Sequence, residues 1–444
     1  MTIFAPATAA GRAAIAVIRV SGPDAGAALA VLAGRLPPPR RASRRVLRAP
    51  GGEALDDGLV LWMPGPASYT GEDMAELHVH GGRAVVEAVL AALGALPGLR
   101  PAEPGEFTRR AFDNGRLDLT AVEGLADLVA AETQAQRRQA LRQAGGALAA
   151  IYERWRATLV ETLALAEAVI DFADEDLPET LDAKVQAGIS GLLEEITQHL
   201  DDAGRGERLR DGALVVILGA PNVGKSSLLN RLAKREAVIV STRAGTTRDV
   251  IEVRMEIDGF PATLADTAGL RATADAVEVE GVRRARAHAQ AADLRIALFD
   301  ATRWPETDVE TRALVDAETL VVANKTDLAP FPAGARLAGR PVLGLSCRSG
   351  AGIGELLAAL GRALGDKLDT AAAPALTRER HRRALVDCRD ALARALGQGA
   401  RGGAAAELAA EDLRLAARAL GRLAGRVDVE DLLDAIFAEL CVGK

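Results

Sequence analysis

A continuous apolar run, Ala213-Leu-Val-Val-Ile-Leu218, leads straight into Gly219-Ala-Pro-Asn-Val-Gly-Lys-Ser226, and a stretch with helical spacing, Ser227 to Lys234, follows. Few features constrain a fold so tightly. The pattern GxxxxGK[ST] between a buried strand and a helix is the phosphate-binding loop of nucleotide-binding α/β domains. Gly219 and Gly224 let the backbone turn so that successive N–H groups face the phosphates, and the helix behind them adds the positive end of its dipole. Asn222, Val223, Gly224 and Ser227 line this loop, Lys225 is placed to reach the β- and γ-phosphates, and Ser226 to ligate Mg²⁺.

Downstream residues follow in the order such a domain needs. Gly245-Thr246-Thr247-Arg248-Asp249 suits a switch segment in which a threonine hydroxyl, assigned to Thr247, completes the Mg²⁺ shell when the γ-phosphate is present. A predicted strand, Phe260 to Ala265, delivers Asp266-Thr267-Ala268-Gly269, with Asp266 near the metal and the Gly269 N–H available to the γ-phosphate. After the predicted strand Thr319 to Ala323 comes Asn324-Lys325-Thr326-Asp327. The Asp327 carboxylate accepts from both guanine N–H groups, which adenine does not offer in that arrangement, so GTP is expected over ATP. Ser346-Cys347-Arg348, after the strand Val342 to Leu345, stands where a fifth loop contacts the guanine carbonyl. Each short motif alone could be an ordinary turn or helix cap; five in order are not chance. At Leu270 many GTPases carry a water-positioning glutamine, and an apolar side chain cannot do that work.

Around this unit the pattern changes. Residues 1–117 mix β-like runs (Ala14 to Val20, Gly58 to Met63, Met74 to Val79) with turns and a helix-compatible stretch, Arg83 to Leu93, which predicts an α+β domain. Residues 118–210 and 370–444 are rich in alanine and leucine at helical spacing, and residues 211–369 alternate strand and helix. The fold expected is therefore multidomain α/β plus α, a helical domain interrupted by an inserted P-loop G domain, behind an N-terminal α+β domain. No apolar run approaches the roughly 20 residues a bilayer span requires, and Arg12 and Arg19 interrupt the first apolar stretch, so a soluble, cytoplasmic chain is expected. Cys347, Cys388 and Cys441 are too few and too far apart for a disulfide framework. A net charge of −7 excludes indiscriminate nucleic-acid binding through a broad positive field. The one dense basic run, Arg40, Arg41, Arg44, Arg45 and Arg48, reads as a solvated loop or strand edge, with RNA contact as the alternative. His78 and His80 share a strand face but lack a third ligand for zinc, and Trp62, Trp155 and Trp304 read as core or interface anchors.

Beyond the nucleotide motifs the chain carries Pro-Gly-Glu-Phe-Thr-Arg-Arg-Ala-Phe at 104–112, Asn-Gly-Arg-Leu-Asp-Leu at 114–119 and a terminal Cys-Val-Gly-Lys at 441–444. With these it resembles, over its whole length, the MnmE (TrmE) family of tRNA modification GTPases; Val442 departs mildly from the isoleucine usual there. The resemblance implies a homodimer joined through the N-terminal domain, which would bind 5-formyl-tetrahydrofolate or a related one-carbon folate through Arg19, Glu76, Arg116 and Lys444. It also implies an FAD-dependent MnmG (GidA) partner, in a heterotetramer or larger assembly. Together they would add an aminomethyl or carboxymethylaminomethyl group to carbon 5 of the wobble uridine of certain tRNAs. It supplies the missing catalytic parts as well: K⁺ held by Asn222, Ser241, Arg243 and Thr246, and Glu278 to orient water, with Glu280 as its rival. Two other functions compete. A regulatory or ribosome-assembly GTPase without modification chemistry would carry a basic RNA-binding module, and none is visible; a folate-binding protein with a decayed G domain is opposed by the intact nucleotide motifs.

Overall fold

In strands packed on two sides, side chains must alternate between faces, and residues 2–101 do so. The computed structural model describes residues 1–171, 180–202, 204–235, 251–266, 290–369, 374–398, 404–425, 436–437, 440 and 443. By their contacts they divide into two compact units, one of residues 1–126, 143–188 and 394–444, the other of 127–142 and 189–393.

The first unit is built on a six-stranded sheet of β1 (Thr2–Pro6), β2 (Ile15–Ser21), β3 (Ser43–Arg48), β4 (Ala54–Met63), β5 (Met74–His80) and β6 (Leu99–Pro101), in the order β3-β4-β5-β2-β1-β6. β1 and β6 run parallel; the remaining pairs are antiparallel. Ala16, Ile18, Val20, Leu77 and Val79 pack beneath α1 (Ala25–Ala33) and α2 (Arg83–Gly94) in a core with Leu29, Leu32, Val89 and Leu93. The alternate residues of the same strands, Val17, Arg19 and Ser21 on β2 and Glu76 and His78 on β5, therefore point to the opposite face. There α3 (Glu106–Asp113) seats Phe107 against Ile3, Ala5 and Met74. The helical part of this unit pairs α6 (Ala147–Asp171), which buries Leu148, Tyr152, Trp155 and Leu159 at helical spacing, with α13 (Ala404–Leu423). Trp62 and Trp155 are both buried in the core.

The second unit is a doubly wound sheet. Its strands β7 (Ala213–Leu218), β8 (Ile251–Ile257), β9 (Phe260–Asp266), β10 (Leu294–Asp300), β11 (Thr319–Asn324), β12 (Arg336–Leu337) and β13 (Arg340–Gly344) lie in the order β12-β13-β11-β10-β7-β9-β8. The five central strands are parallel and the two edges antiparallel. Val215, Ile217, Leu264, Ile296 and Leu298 form one continuous core with Leu228, Leu229 and Leu232 of α9 (Lys225–Arg235) and Leu356, Leu360 and Leu364 of α11 (Ile353–Leu368). Each such side chain contributes about 1.5–3 kcal/mol by leaving water. Helices α4 (Leu119–Ala130), α5 (Gln134–Ala144), α7 (Thr180–Leu200) and α8 (Arg205–Asp211) precede the sheet in the chain; α10 (Val309–Ala313) lies between its strands and α12 (Glu379–Gln398) after them. Within this unit Asp127 accepts from Arg210 Nε at 3.1 Å and Arg378 Nη2 at 2.8 Å, so one carboxylate ties the segment entering the sheet to the segment leaving it. Among the described residues no helix is long and apolar enough to cross a membrane.

Candidate functional site

Because β7, β9, β10, β11 and β13 are parallel, the loops after them gather along one edge of the sheet, where ligands of open α/β folds bind. β7 ends at Leu218 and α9 begins at Lys225, leaving Gly219 to Gly224 as the connecting loop. Asn222 turns through φ +62° and Gly224 through φ +107°. A Cβ on Gly224 would lie 2.3 Å from Asn324 Nδ2, so no larger residue fits. Lys225 is buried and folds back over the loop, donating to the Gly219 carbonyl at 2.7 Å and the Ala220 carbonyl at 3.0 Å. Burial pulls its pKa below the usual lysine value, against the opposing pull of Asp266 and Asp308. A desolvated ammonium held only by backbone carbonyls is a group that gains by meeting phosphate oxygens. Ser226 Oγ donates to Asp266 Oδ2 at 2.6 Å, bringing together the hydroxyl and the carboxylate expected at Mg²⁺. Hard oxygen donors of this kind fit that ion.

The base-recognition loops are joined by a single side chain. Asn324, buried at the end of β11, donates from Nδ2 to the Val223 carbonyl at 2.9 Å and accepts from the Cys347 N–H on Oδ1 at 3.0 Å. It thus fixes the phosphate loop to the fifth loop. Asp327 is exposed; its Oδ1 accepts from the buried Ser346 hydroxyl at 2.6 Å, and Ser346 Oγ in turn accepts from the Ser349 N–H at 3.1 Å. The carboxylate is held by one oxygen and presents the other. Lys325 sits at φ +71° and its Nζ reaches Asp300 Oδ2 at 2.7 Å. Burial would raise the Asp300 pKa, but hydrogen bonds from Lys325 and Thr302 and the lysine charge outweigh it and hold the carboxyl below its usual value. Burial pushes the Cys347 thiol up to about 11, so it stays protonated beside the base loops. Arg348 is exposed. Asp300 is a partner that motif reading missed; its position at the end of β10, level with Asn324 in the strand register, was the available signal.

Thr246, Thr247, Thr267, Ala268, Gly269 and Glu278 lie outside the described residues, as do Ser241 and Arg243. Of the four residues expected at K⁺, Asn222 alone is described, exposed at the tip of the phosphate loop.

In the first unit Arg19 and Glu76 are cross-strand partners, joined at 3.0 Å. Arg19 Nη1 also donates to the Gly443 carbonyl at 3.1 Å, and its guanidinium lies 5.3 Å from the Tyr69 ring centre and 5.8 Å from that of Phe107. Glu76 Oε2 is 3.3 Å from His78 Nε2. Arg116 is exposed, with its stem against Gly71 in the loop that carries Tyr69; Asn114 Nδ2 pins this loop through the Thr70 carbonyl at 2.8 Å. A cation, a carboxylate and two aromatic rings fit a flat, hydrogen-bonding heterocycle such as the pterin of a folate. Gly443 has φ +93°, and a Cβ there would lie 2.3 Å from the Pro6 carbonyl, so the tail needs glycine at that position. Cys441 and Lys444 lie outside the described residues. His80 bonds Asp56 at 2.8 Å rather than joining His78, and no metal-binding cluster of His, Cys, Asp or Glu occurs among the described residues.

A phosphate loop, an adjacent Ser–Asp pair and an Asn-x-x-Asp loop braced by a fifth loop, all on one edge of a parallel sheet, define a P-loop G domain that binds GTP. Comparison with known proteins carries this further. The family description "GTP-binding protein TrmE N-terminus" matches residues 2–116, and "MnmE helical domain" matches residues 119–441. Proteins named tRNA modification GTPase MnmE are similar along the full chain. The one from Rhodospirillum rubrum is 57% identical, covering 100% of this chain and 99% of that one. Those from Paramagnetospirillum magneticum and Parvibaculum lavamentivorans are each 58% identical, covering 100% of this chain and 99% and 100% of theirs. The chain belongs to the MnmE (TrmE) family.

Proposed function

We propose that this chain is a potassium-stimulated GTPase that works with an FAD-dependent MnmG partner. Together they add an aminomethyl or carboxymethylaminomethyl group to carbon 5 of the wobble uridine of certain tRNAs in the cytoplasm. The observation that carries the reading is the single-edge assembly of Lys225, Ser226, Asp266, Asn324, Asp327 and Ser346 in a chain that matches tRNA modification GTPases from end to end. In this reading residues 1–117 dimerise and bind a one-carbon folate, 118–210 and 370–444 form the helical domain, and 211–369 are the G domain. Lys225 exchanges its carbonyl partners for the β- and γ-phosphates, Ser226 and Thr247 hold Mg²⁺ with Asp266 beside them, and Asp327 accepts from the guanine N–H groups. Asn222, with Ser241, Arg243 and Thr246, holds K⁺, and Glu278 orients water. When bound, the two cations offset charge developing on the phosphates, the contribution that arginine fingers make at roughly 10³–10⁵-fold in rate. Arg19, Glu76, Arg116 and Lys444 hold the folate.

Nucleoside analysis of tRNA from cells lacking the protein tests the whole. Hypomodified wobble uridines are expected; unchanged ones would leave a regulatory or ribosome-assembly GTPase as the reading. Steady-state hydrolysis with K⁺ replaced by Na⁺ at constant ionic strength tests the cation and should slow strongly. Glu278→Ala should block turnover while nucleotide still binds; normal turnover would move the role to Glu280.

A further inference from the structure

We propose that β3 and the turn before it, residues 35–48, form a contact surface for the phosphodiester backbone of RNA. The inference rests on the tRNA reading above, but its site is separate from both ligand sites already described. Arg35, Arg40, Arg41, Arg44, Arg45 and Arg48 fall in this stretch with no carboxylate among them, in a chain whose net charge is −7. β3 is the outer strand of its sheet, paired only with β4. Five of the six arginines are exposed, Arg45 being half-buried.

The surface is held in shape rather than loosely solvated. Arg40 adopts φ +57°, its N–H donates to the Trp62 carbonyl at 2.7 Å, and its guanidinium donates to the carbonyls of Ala67 at 2.8 Å and Pro64 at 3.2 Å. Arg44 is committed to Asp57 at 2.6 Å. Arg48 donates to the Gly52 carbonyl at 3.0 Å; the Arg41 backbone bonds Pro38 and Ser43, while the guanidinium groups of Arg35 and Arg41 have no hydrogen-bond or ion-pair partner among the described residues. At roughly 3.4 Å per residue, Arg44 and Arg48 lie about 14 Å apart on one strand face. With Arg40 and Arg41 exposed in the turn just before the strand, the stretch offers guanidinium groups to several successive phosphates.

A charged edge strand resists edge-to-edge aggregation, and one or two arginines would serve that purpose. A carboxylate-free run extending beyond the strand into the turn exceeds it. Guanidinium forks match phosphate oxygens, and the large apolar side chains exposed in and beside the stretch, Leu36, Val46 and Leu59 opposite Arg44, are outnumbered there by the six arginines. Contacts of this kind position a nucleic acid without reading its sequence.

The test is titration of the full-length protein with an unmodified tRNA transcript between 50 and 300 mM KCl, comparing the parent with the combined variant Arg35→Ala, Arg41→Ala, Arg48→Ala. Affinity is expected to fall about tenfold or more, and the slope of log K against log salt to shrink by about 2–3, at roughly 0.7–0.9 per phosphate contact. GTP hydrolysis and sedimentation should match the parent, which reports an intact fold. Arg83→Ala, removing an exposed arginine paired with Glu87 on α2, should bind like the parent. If the parent binds tRNA and the triple variant binds with equal affinity and slope, the surface is refuted while the tRNA reading stands. A loss shared equally by Arg83→Ala would refute it too. A parent that does not bind tRNA overturns this surface, while the tRNA reading is decided separately by the nucleoside analysis.

Discussion

The guanine corner and the Arg19 site hold their shapes by different physics. At the guanine corner a neutral amide, Asn324, bridges two loops by donating to one backbone carbonyl and accepting from one backbone N–H, within a buried setting. At the Arg19 site a guanidinium is shared among a carboxylate, two aromatic rings and the carbonyl of Gly443, 424 positions away in the chain, and its side chain keeps 18% exposure. The first arrangement tolerates no change of shape, since each group has one partner at close range. The second distributes its interactions over several partners, and partial exposure lets water replace some of them. Removing a bridging group should therefore cost more at the first site than at the second.

Gly224→Ala is the severest break. With φ +107° and a Cβ 2.3 Å from Asn324 Nδ2, the phosphate loop and the guanine corner cannot both keep their geometry. Loss of GTP affinity by about 100-fold or more is expected, equivalent to roughly 2.7 kcal/mol. Fluorescent-nucleotide titration reads it, and folate binding at the Arg19 site serves as the unaffected comparison.

Asn324→Ala removes both loop-bridging bonds and strands the Val223 carbonyl and the Cys347 N–H. At about 1–3 kcal/mol for each buried group left unpaired, thermal unfolding should fall by several degrees with nucleotide weakened alongside. An unchanged melting temperature would mean that water replaces the amide, and the contrast between the two sites would collapse.

Arg19→Ala should cost less stability, about 2 kcal/mol, between the values for exposed pairs and for buried pairs with one partner removed. Its larger effect should be on folate affinity, with GTP hydrolysis retained. A parallel loss of hydrolysis and folate binding would show that the two sites do not act separately.

The smallest effect concerns acid. Asp300 has its folded pKa held below the ordinary value of 3.8, so what it contributes is fully present above that value and is lost as pH falls through the lower folded one. Asp300→Asn should therefore lower stability near pH 7 by that small contribution, with the gap to the parent closing as pH falls below about 4, so that the acid limb is flatter. Denaturant unfolding at stepped pH would reveal a difference present at neutral pH and gone at the acid end; a constant difference at every pH would show that the titration of Asp300 is not its source.

Sequence order alone determined the parallel sheet and the loops on its edge. Strand β7, the loop ending at Ser226, helix α9 and the strands delivering Asp266 and Asn324 are contiguous segments, and their chemistry depends on local backbone shape and short spacing. The α+β character of residues 1–117 was legible from period-two runs, although β3, polar and arginine-rich, could be placed only as a loop or an edge until its pairing with β4 was seen. Tertiary structure alone decided that Asp300 holds Lys325, that Asn324 touches Val223, and that Arg19 reaches Gly443 while lying near the Tyr69 and Phe107 rings. These contacts join residues from 25 to 424 positions apart. No periodicity or motif spacing encodes such distances; they arise when separate elements bury their apolar faces and bring their polar residues together along the edges.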